Sequence, residues 1–118
     1  MTVITPERQV LDTDADSVII PAHDGELGIL HGRAPLMCEL GIGRLSFRSG
    51  GQTRRLFIDG GFAQVYNNQV TVLTERGLAP AEITDSTLAQ TQAESRSDDP
   101  EERARARRRA SVLRALRS

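Results

Sequence analysis

The sequence predicts an α+β chain: an N-terminal antiparallel β-sandwich, or flattened barrel, followed by a C-terminal two-helix hairpin. Three observations carry that reading. All ten glycines fall between Gly25 and Gly77, and the four aromatics, Phe47, Phe57, Phe62 and Tyr66, share the same span. After Gly77 the glycines stop, and Asp98-Asp99-Pro100-Glu101-Glu102 then presents a helix start. The division places the sandwich in residues 1–83 and the hairpin in residues 84–118.

The elements follow in order. Val3–Thr5 and Val10–Asp12 read as short strands around a turn at Pro6, and Ser17–Pro21 as an apolar run ended by proline. Glu26–Leu30 lies between turns at Asp24-Gly25 and Gly32. Met37–Leu40, Arg44–Arg48, Thr53–Ile58, Phe62–Tyr66 and Gln69–Leu73 continue the series, with glycines or Asn67-Asn68 between them. Ser49-Gly50-Gly51 and Asn67-Asn68 suit tight hairpins, because Gly and Asn accept positive φ. In Arg44-Leu45-Ser46-Phe47-Arg48 apolar and polar residues alternate, so one face points inward. Strands this short and this closely spaced leave no room for the crossover helices of a parallel α/β fold.

In the tail, Asp85–Ser95 predicts a first helix with a poor apolar stripe, and Pro100–Arg117 a second. Asp99 suits the cap, Pro100 the first helical position, and Glu102 the closing of a capping box. Acids lead and arginines trail, matching the helix dipole. The apolar positions Ala106, Ala110, Leu113 and Leu116 or Ala115 recur at helical spacing but are mostly small. A hairpin burying so little is expected to be marginally docked and able to move.

The chain of 118 residues allows one domain plus an appendage. Its net charge of −1 hides an asymmetry. Residues 1–100 carry 14 acids and 8 arginines, a net −6, and residues 101–118 carry 2 acids and 7 arginines, a net +5. A cationic end of this kind steers toward an acidic surface. Cys38 is the sole cysteine, which excludes an intrachain disulfide and a Cys-rich zinc site. No apolar run approaches the ~20 residues that cross a bilayer, and the N-terminus lacks a secretory signal. The chain therefore reads as cytoplasmic, with membrane contact only through a partner.

Catalytic and cofactor chemistry finds no support. His23, Asp24, Glu26 and His31 match no compact metal-ligand spacing. Gly25-x-x-Gly28 and Gly41-x-Gly43 neither open a helix nor carry Gly-Lys-Ser/Thr, so they are not phosphate loops. No nucleophile elbow is present. The arginines after residue 100 have no aromatics near them for stacking against bases. No enzyme activity, metal or cofactor is expected.

Two blocks resemble one family. The stretch Ile20-Pro21-Ala22-His23-Asp24-Gly25-Glu26-Leu27-Gly28-Ile29-Leu30-His31-Gly32-Arg33-Ala34-Pro35-Leu36 is similar to the signature of the epsilon subunit of F-type ATP synthases. Asp59-Gly60-Gly61-Phe62-Ala63-Gln64-Val65 followed by Val70-Thr71-Val72-Leu73 agrees in order and spacing. The resemblance implies a non-catalytic rotor subunit of the central stalk, on the cytoplasmic face of the bacterial inner membrane. The sandwich would couple the gamma shaft to the membrane ring, and the hairpin would reach the catalytic alpha and beta subunits transiently and restrain ATP hydrolysis. It further implies rotor-interface roles for Glu26, His31 and Arg33, and an inhibitory role for Arg103, Arg105, Arg107, Arg108 and Arg109.

The chain departs from the family pattern in three places. His31-Gly32-Arg33 replaces Pro-Gly-His, putting a permanent cation where the family has an imidazole. The tail is somewhat short and its first helix lacks the usual alanine-rich stripe. Ile83-Thr84-Asp85-Ser86-Thr87-Leu88-Ala89 has one residue too many and no arginine for the ATP-binding motif Ile/Leu-Asp-x-x-Arg-Ala, so ATP binding is not expected. The alternative reading is a free-standing β-sandwich adaptor whose arginine helix binds nucleic acid.

Overall fold

A computed structural model describes residues 1–117. In chain order the strands are β1 (Thr2–Ile4), β2 (Gln9–Asp12), β3 (Ser17–Ala22), β4 (Gly25–Leu30), β5 (Leu36–Ser49), β6 (Gln52–Tyr66), β7 (Gln69–Leu73) and β8 (Gly77–Leu78). A single 3-10 turn at Pro80–Glu82 leads to α1 (Asp85–Glu94) and α2 (Pro100–Arg117). The strands form one folded-over sheet in the order β2-β1-β7-β6-β5-β3-β4, with β8 beside β6. It is sandwich-like and not closed, as β2 and β4 remain edges.

Every pairing is antiparallel except one, since β1 runs parallel to β7 with Val3 opposite Val72. No hairpin joins these two strands to dictate their direction. Burial sets the pairing instead, because Val3 and Val72 are both 0% exposed at the centre of the core.

The expectation of four separate short strands between residues 37 and 66 is corrected to two long ones. β5 and β6 pair without a slip from Leu36↔Val65 to Ser49↔Gln52. Yet the inward residues change phase midway. Leu56 and Ile58 face the core on β6, and beyond the glycines Ala63 and Val65 do; on β5 Leu40 gives way to Leu45 and Phe47. Strict alternation cannot bury both sets. The phase is reset where Gly41 lies across from Gly60, and Gly60 and Gly61 take φ of 68° and 101°. A Cβ on Gly61 would run into the Leu73 carbonyl oxygen and lie 2.8 Å from Thr74 Cα. Both strands therefore turn together at one rung, and each serves both layers.

The main core between the layers comes from residues of the sandwich alone, among them Met1, Val18, Ile20, Ile29, Leu45 and Val70. A second cluster lies outside the sheet, where Phe57 meets Ile83, Leu113 and Leu116, with Ile42, Leu78, Leu88 and Val112 packed around them. Leu56 and Ile58 point inward while Phe57 and Asp59 point outward, so this half of β6 is buried on both faces.

The helices fall where the tail predicts them. Thr84 caps α1, its Oγ1 accepting from Thr87 N at 3.2 Å. Asp99 caps α2, its Oδ1 accepting from Glu101 N at 3.0 Å. The expected capping box does not close. The Asp99 N–H donates to Ser97 Oγ, while the Glu102 carboxylate turns to Arg105 and Arg109. A guanidinium offers a charged donor, and such bonds are roughly twice as strong as neutral ones.

Two outcomes test this architecture. Residues 1–83 expressed alone should keep β-sheet circular dichroism and melt cooperatively, since the main core lies within them. Gly61→Ala should cost more than about 2 kcal/mol in urea unfolding, through positive-φ strain and collision with β7.

Candidate functional site

Three surfaces carry the residues singled out by sequence. The first is the junction of α2 with the sandwich. Ala106, Ala110, Leu113 and Leu116 are the buried residues of α2, and burying each leucine is worth roughly 1.5–3 kcal/mol. Beside this stripe, Arg109 Nε donates to Asp59 Oδ2 at 2.9 Å, with the two side chains only 12% and 10% exposed. Arg109 Nη1 also donates to Glu102 Oε1 at 3.3 Å and lies 3.6 Å from Glu94 Oε2. One guanidinium thus ties β6, α1 and α2. Burial opposes its charge, but Asp59 and Glu102 outweigh that and hold its pKa above the ordinary arginine value.

Arg108 Nε donates to the Ile42 carbonyl at 2.9 Å. Ile42 lies in the stretch of β5 between Leu40 and Ser46 where the register with β3 shifts and no β3 partner is paired. Arg105 pairs with Glu102 at 3.1 Å, and Arg103 Nη1 donates to the Ser97 carbonyl. Arg107 is exposed. The five arginines expected to act as one cationic cluster are therefore divided. Arg109 and Arg105 are neutralised within the chain, Arg103 and Arg108 hold backbone carbonyls, and Arg107 faces water.

The second surface holds the expected rotor residues, and the structure separates them. Glu26 lies at the start of β4 opposite Pro21, and His31 follows the strand's other end. At 3.3 Å per residue the two are on the order of 16 Å apart. Glu26 lines a groove of about 760 Å³ against α2, together with Arg105 and Arg108. His31 and Arg33 are exposed on the following turn, where Gly32 N donates to Asn68 Oδ1 at 2.8 Å.

Sequence reading did not single out the third surface. Met37 on β5, Phe62 and Tyr66 on β6 and Leu73 on β7 are 66%, 53%, 62% and 53% exposed. Phe62 sits opposite both Glu39 and Leu73, and Met37 opposite Gln64, so the four share the outer face of one three-stranded patch. Large apolar side chains exposed among polar ones such as Glu39 and Gln64 suit a protein contact. The available signal was Phe62 and Tyr66 at period two beyond the Gly60-Gly61 phase reset, which puts them on the side opposite Ala63 and Val65.

Catalytic machinery does not assemble among the described residues, which hold no cluster of three or more His, Cys, Asp or Glu able to take a metal ion. Burial raises the pKa of the half-buried Cys38 thiol, leaving it a poor nucleophile. No described helix is long and apolar enough to cross a membrane.

The sandwich carries a helical hairpin on one outer face and exposed apolar side chains on another. Comparison with known proteins shows its family. The family described as "ATP synthase, Delta/Epsilon chain, beta-sandwich domain" matches residues 1–80. The chain belongs to that family. It is 48% identical over 84 residues to the ATP synthase epsilon chain of Rhodopirellula baltica, covering 71% of this chain and 65% of that one. Against the epsilon chain of Maridesulfovibrio salexigens the identity is 41% over 83 residues, covering 70% and 58%. The chain thus spans less than two thirds of the length of these curated relatives.

Among solved structures, it resembles a chain of the Euglena gracilis mitochondrial ATP synthase OSCP/F1/c-ring structure. The TM-score is 0.72 and the identity 25%, over 98% of this chain and 76% of that one. A chain of the Tetrahymena thermophila mitochondrial ATP synthase central stalk and c-ring shares the fold, with TM-score 0.66 and 17% identity, over 98% and 90%.

The junction makes a two-part prediction. Arg109→Met leaves the Asp59 carboxylate nearly buried and unpaired, a change that costs about 3–5 kcal/mol. Amide exchange in α2 should accelerate by roughly two to four orders of magnitude while the sandwich core stays protected. Hydrogen bonds from Arg105 and Arg109 hold Glu102 below the ordinary carboxylate range. Its stabilising effect is therefore complete above the unfolded value of about 4.3 and is lost as pH falls through the lower folded value. Protection of α2 should be flat near neutrality and decline below about pH 4, and exchange measured across pH checks this.

Proposed function

We propose that this chain is a non-catalytic rotor subunit of an F-type ATP synthase. In this reading the sandwich links the gamma shaft to the membrane ring, and the hairpin restrains ATP hydrolysis by reaching the alpha and beta subunits. The observation that carries it is the open apolar patch of Met37, Phe62, Tyr66 and Leu73, on a chain of the epsilon family. Buried aromatic anchors supply most of the energy of such interfaces, so the patch suits the shaft contact. Glu26, His31 and Arg33 are charged loop residues that set orientation and register more than affinity. The complex would sit on the cytoplasmic face of the bacterial inner membrane, with this chain peripheral.

The nucleic-acid adaptor reading is not supported. Its helix spends its central arginine on Asp59, Glu94 and Glu102, and offers no aromatic side chain to stack on a base.

The docked hairpin supports a regulatory role. α2 is held by a short stripe and one nearly buried ion pair, an arrangement that an acidic surface elsewhere can compete for. Deleting residues 84–118 should leave assembly intact and raise ATP hydrolysis in the complex. Replacing Arg103, Arg105, Arg107, Arg108 and Arg109 by alanine should do part of the same, with the effect shrinking in high salt. Phe62→Glu should abolish assembly and leave the isolated melt unchanged. Normal assembly by that variant would place the shaft contact elsewhere.

A further inference from the structure

β6 has one edge that the fold leaves open. Along one side it pairs with β5 throughout; along the other it pairs with β8 at Phe57–Ile58 and with β7 at Phe62–Tyr66. Residues 52–56 have no strand on that side, although the Pro80–Glu82 turn that follows β8 runs close to β6 there. Asp59 N donates on the open-edge side, to the Arg76 carbonyl. By the two-residue period, Thr53 and Arg55 therefore present their N–H and C=O there. Among the described residues no strand or turn hydrogen bond covers them. An unpaired strand edge is a template for another chain.

The surroundings of this edge are specific. Between Glu39 and Asp59 the sequence has four arginines, Arg44, Arg48, Arg54 and Arg55, and no acid. The rest of the first 100 residues is strongly acidic. All four arginines are exposed, and none takes part in the ion pairs among the described residues. Arg44, Arg54 and Arg55 ring a groove of about 390 Å³ whose apolar wall includes Leu11, Pro80 and Leu116.

We propose that this edge binds an acidic, extended segment of a partner protein, which pairs with β6 at Thr53 and Arg55, alongside the Pro80–Glu82 turn. Backbone hydrogen bonds at Thr53 and Arg55 supply the pairing. The arginines select acidic side chains, and the groove takes an apolar side chain at alternate positions. A nucleic acid is disfavoured because the groove's one aromatic, Phe47, is 3% exposed and cannot stack. A flat anionic membrane does not match a concave groove with arginines on both faces of the strand.

The site lies away from the Phe62 patch and from Arg109, but Leu116 of α2 forms part of its wall, so the groove exists in this form only with the hairpin docked. The test uses the full chain and a fluorescein-labelled peptide alternating glutamate with leucine. Its comparators are the same peptide with serine for leucine, oligothymidylate, and phosphatidylglycerol vesicles. The glutamate–leucine peptide should bind at least tenfold more tightly than the serine peptide. Binding should fall at least tenfold in R54E/R55E and stay unchanged in R96E, an equal charge change per site at an exposed position elsewhere. On the unmutated chain, the Thr53 and Arg55 amides should gain exchange protection with peptide, which keeps the test valid if a variant misfolds. Equal binding of the serine peptide, tighter binding of oligothymidylate or vesicles, or protection confined to α2 would each overturn the proposal. The arginines would then only guard the edge against self-pairing.

Discussion

The molecule depends on the single rung where β5 and β6 turn together. Gly41 and the Gly60-Gly61 pair let two long strands keep one register across a missing pair and serve both layers of the sandwich, which a side chain at Gly61 would prevent by striking β7. The turn also divides the outer surface of the two strands. Before it, β6 shows Phe57 and Asp59 to α2; after it, β6 shows Phe62 and Tyr66 to solvent. One half is covered by the chain's own helices and the other is exposed.

The covered half explains how a helix with so few large apolar residues stays in place. Two leucines and two alanines give only a short stripe, offset by the entropy of ordering the tail. Arg109 adds a charged contact at the edge of that stripe, where Asp59 waits in a nearly dry position. Such a pair contributes little compared with an apolar replacement, but breaking it is costly, so it favours one docked geometry over many. Geometry of that kind would suit the proposed exchange of the helix between positions.

Much of the fold was legible. Asn67-Asn68 and Gly50-Gly51 form the expected tight turns with positive φ, and α2 spans the residues that its acids, proline and arginines delimit. The glycines of β5 and β6 misled, because a glycine inside a strand and a glycine in a turn look alike in sequence. What distinguishes them is the partner strand across the rung. The site was legible only in part. The arginine run was visible as a block of charge, but the special position of Arg109 depends on Asp59, which lies 50 residues earlier. Glu26 and His31 were close in sequence and fell at opposite ends of one strand. The apolar patch escaped notice because its phase is set by the glycine turn.

In the proposed assembly, the half of β5–β6–β7 not covered by α2 is the face that meets the rotor. Hydroxyl-radical footprinting of Met37, Phe62 and Tyr66, in the isolated chain and in the assembled synthase, measures this directly. All three should label strongly when the chain is alone and lose most of that labelling in the complex. Unchanged labelling of Phe62 and Tyr66 in the assembled enzyme would contradict it.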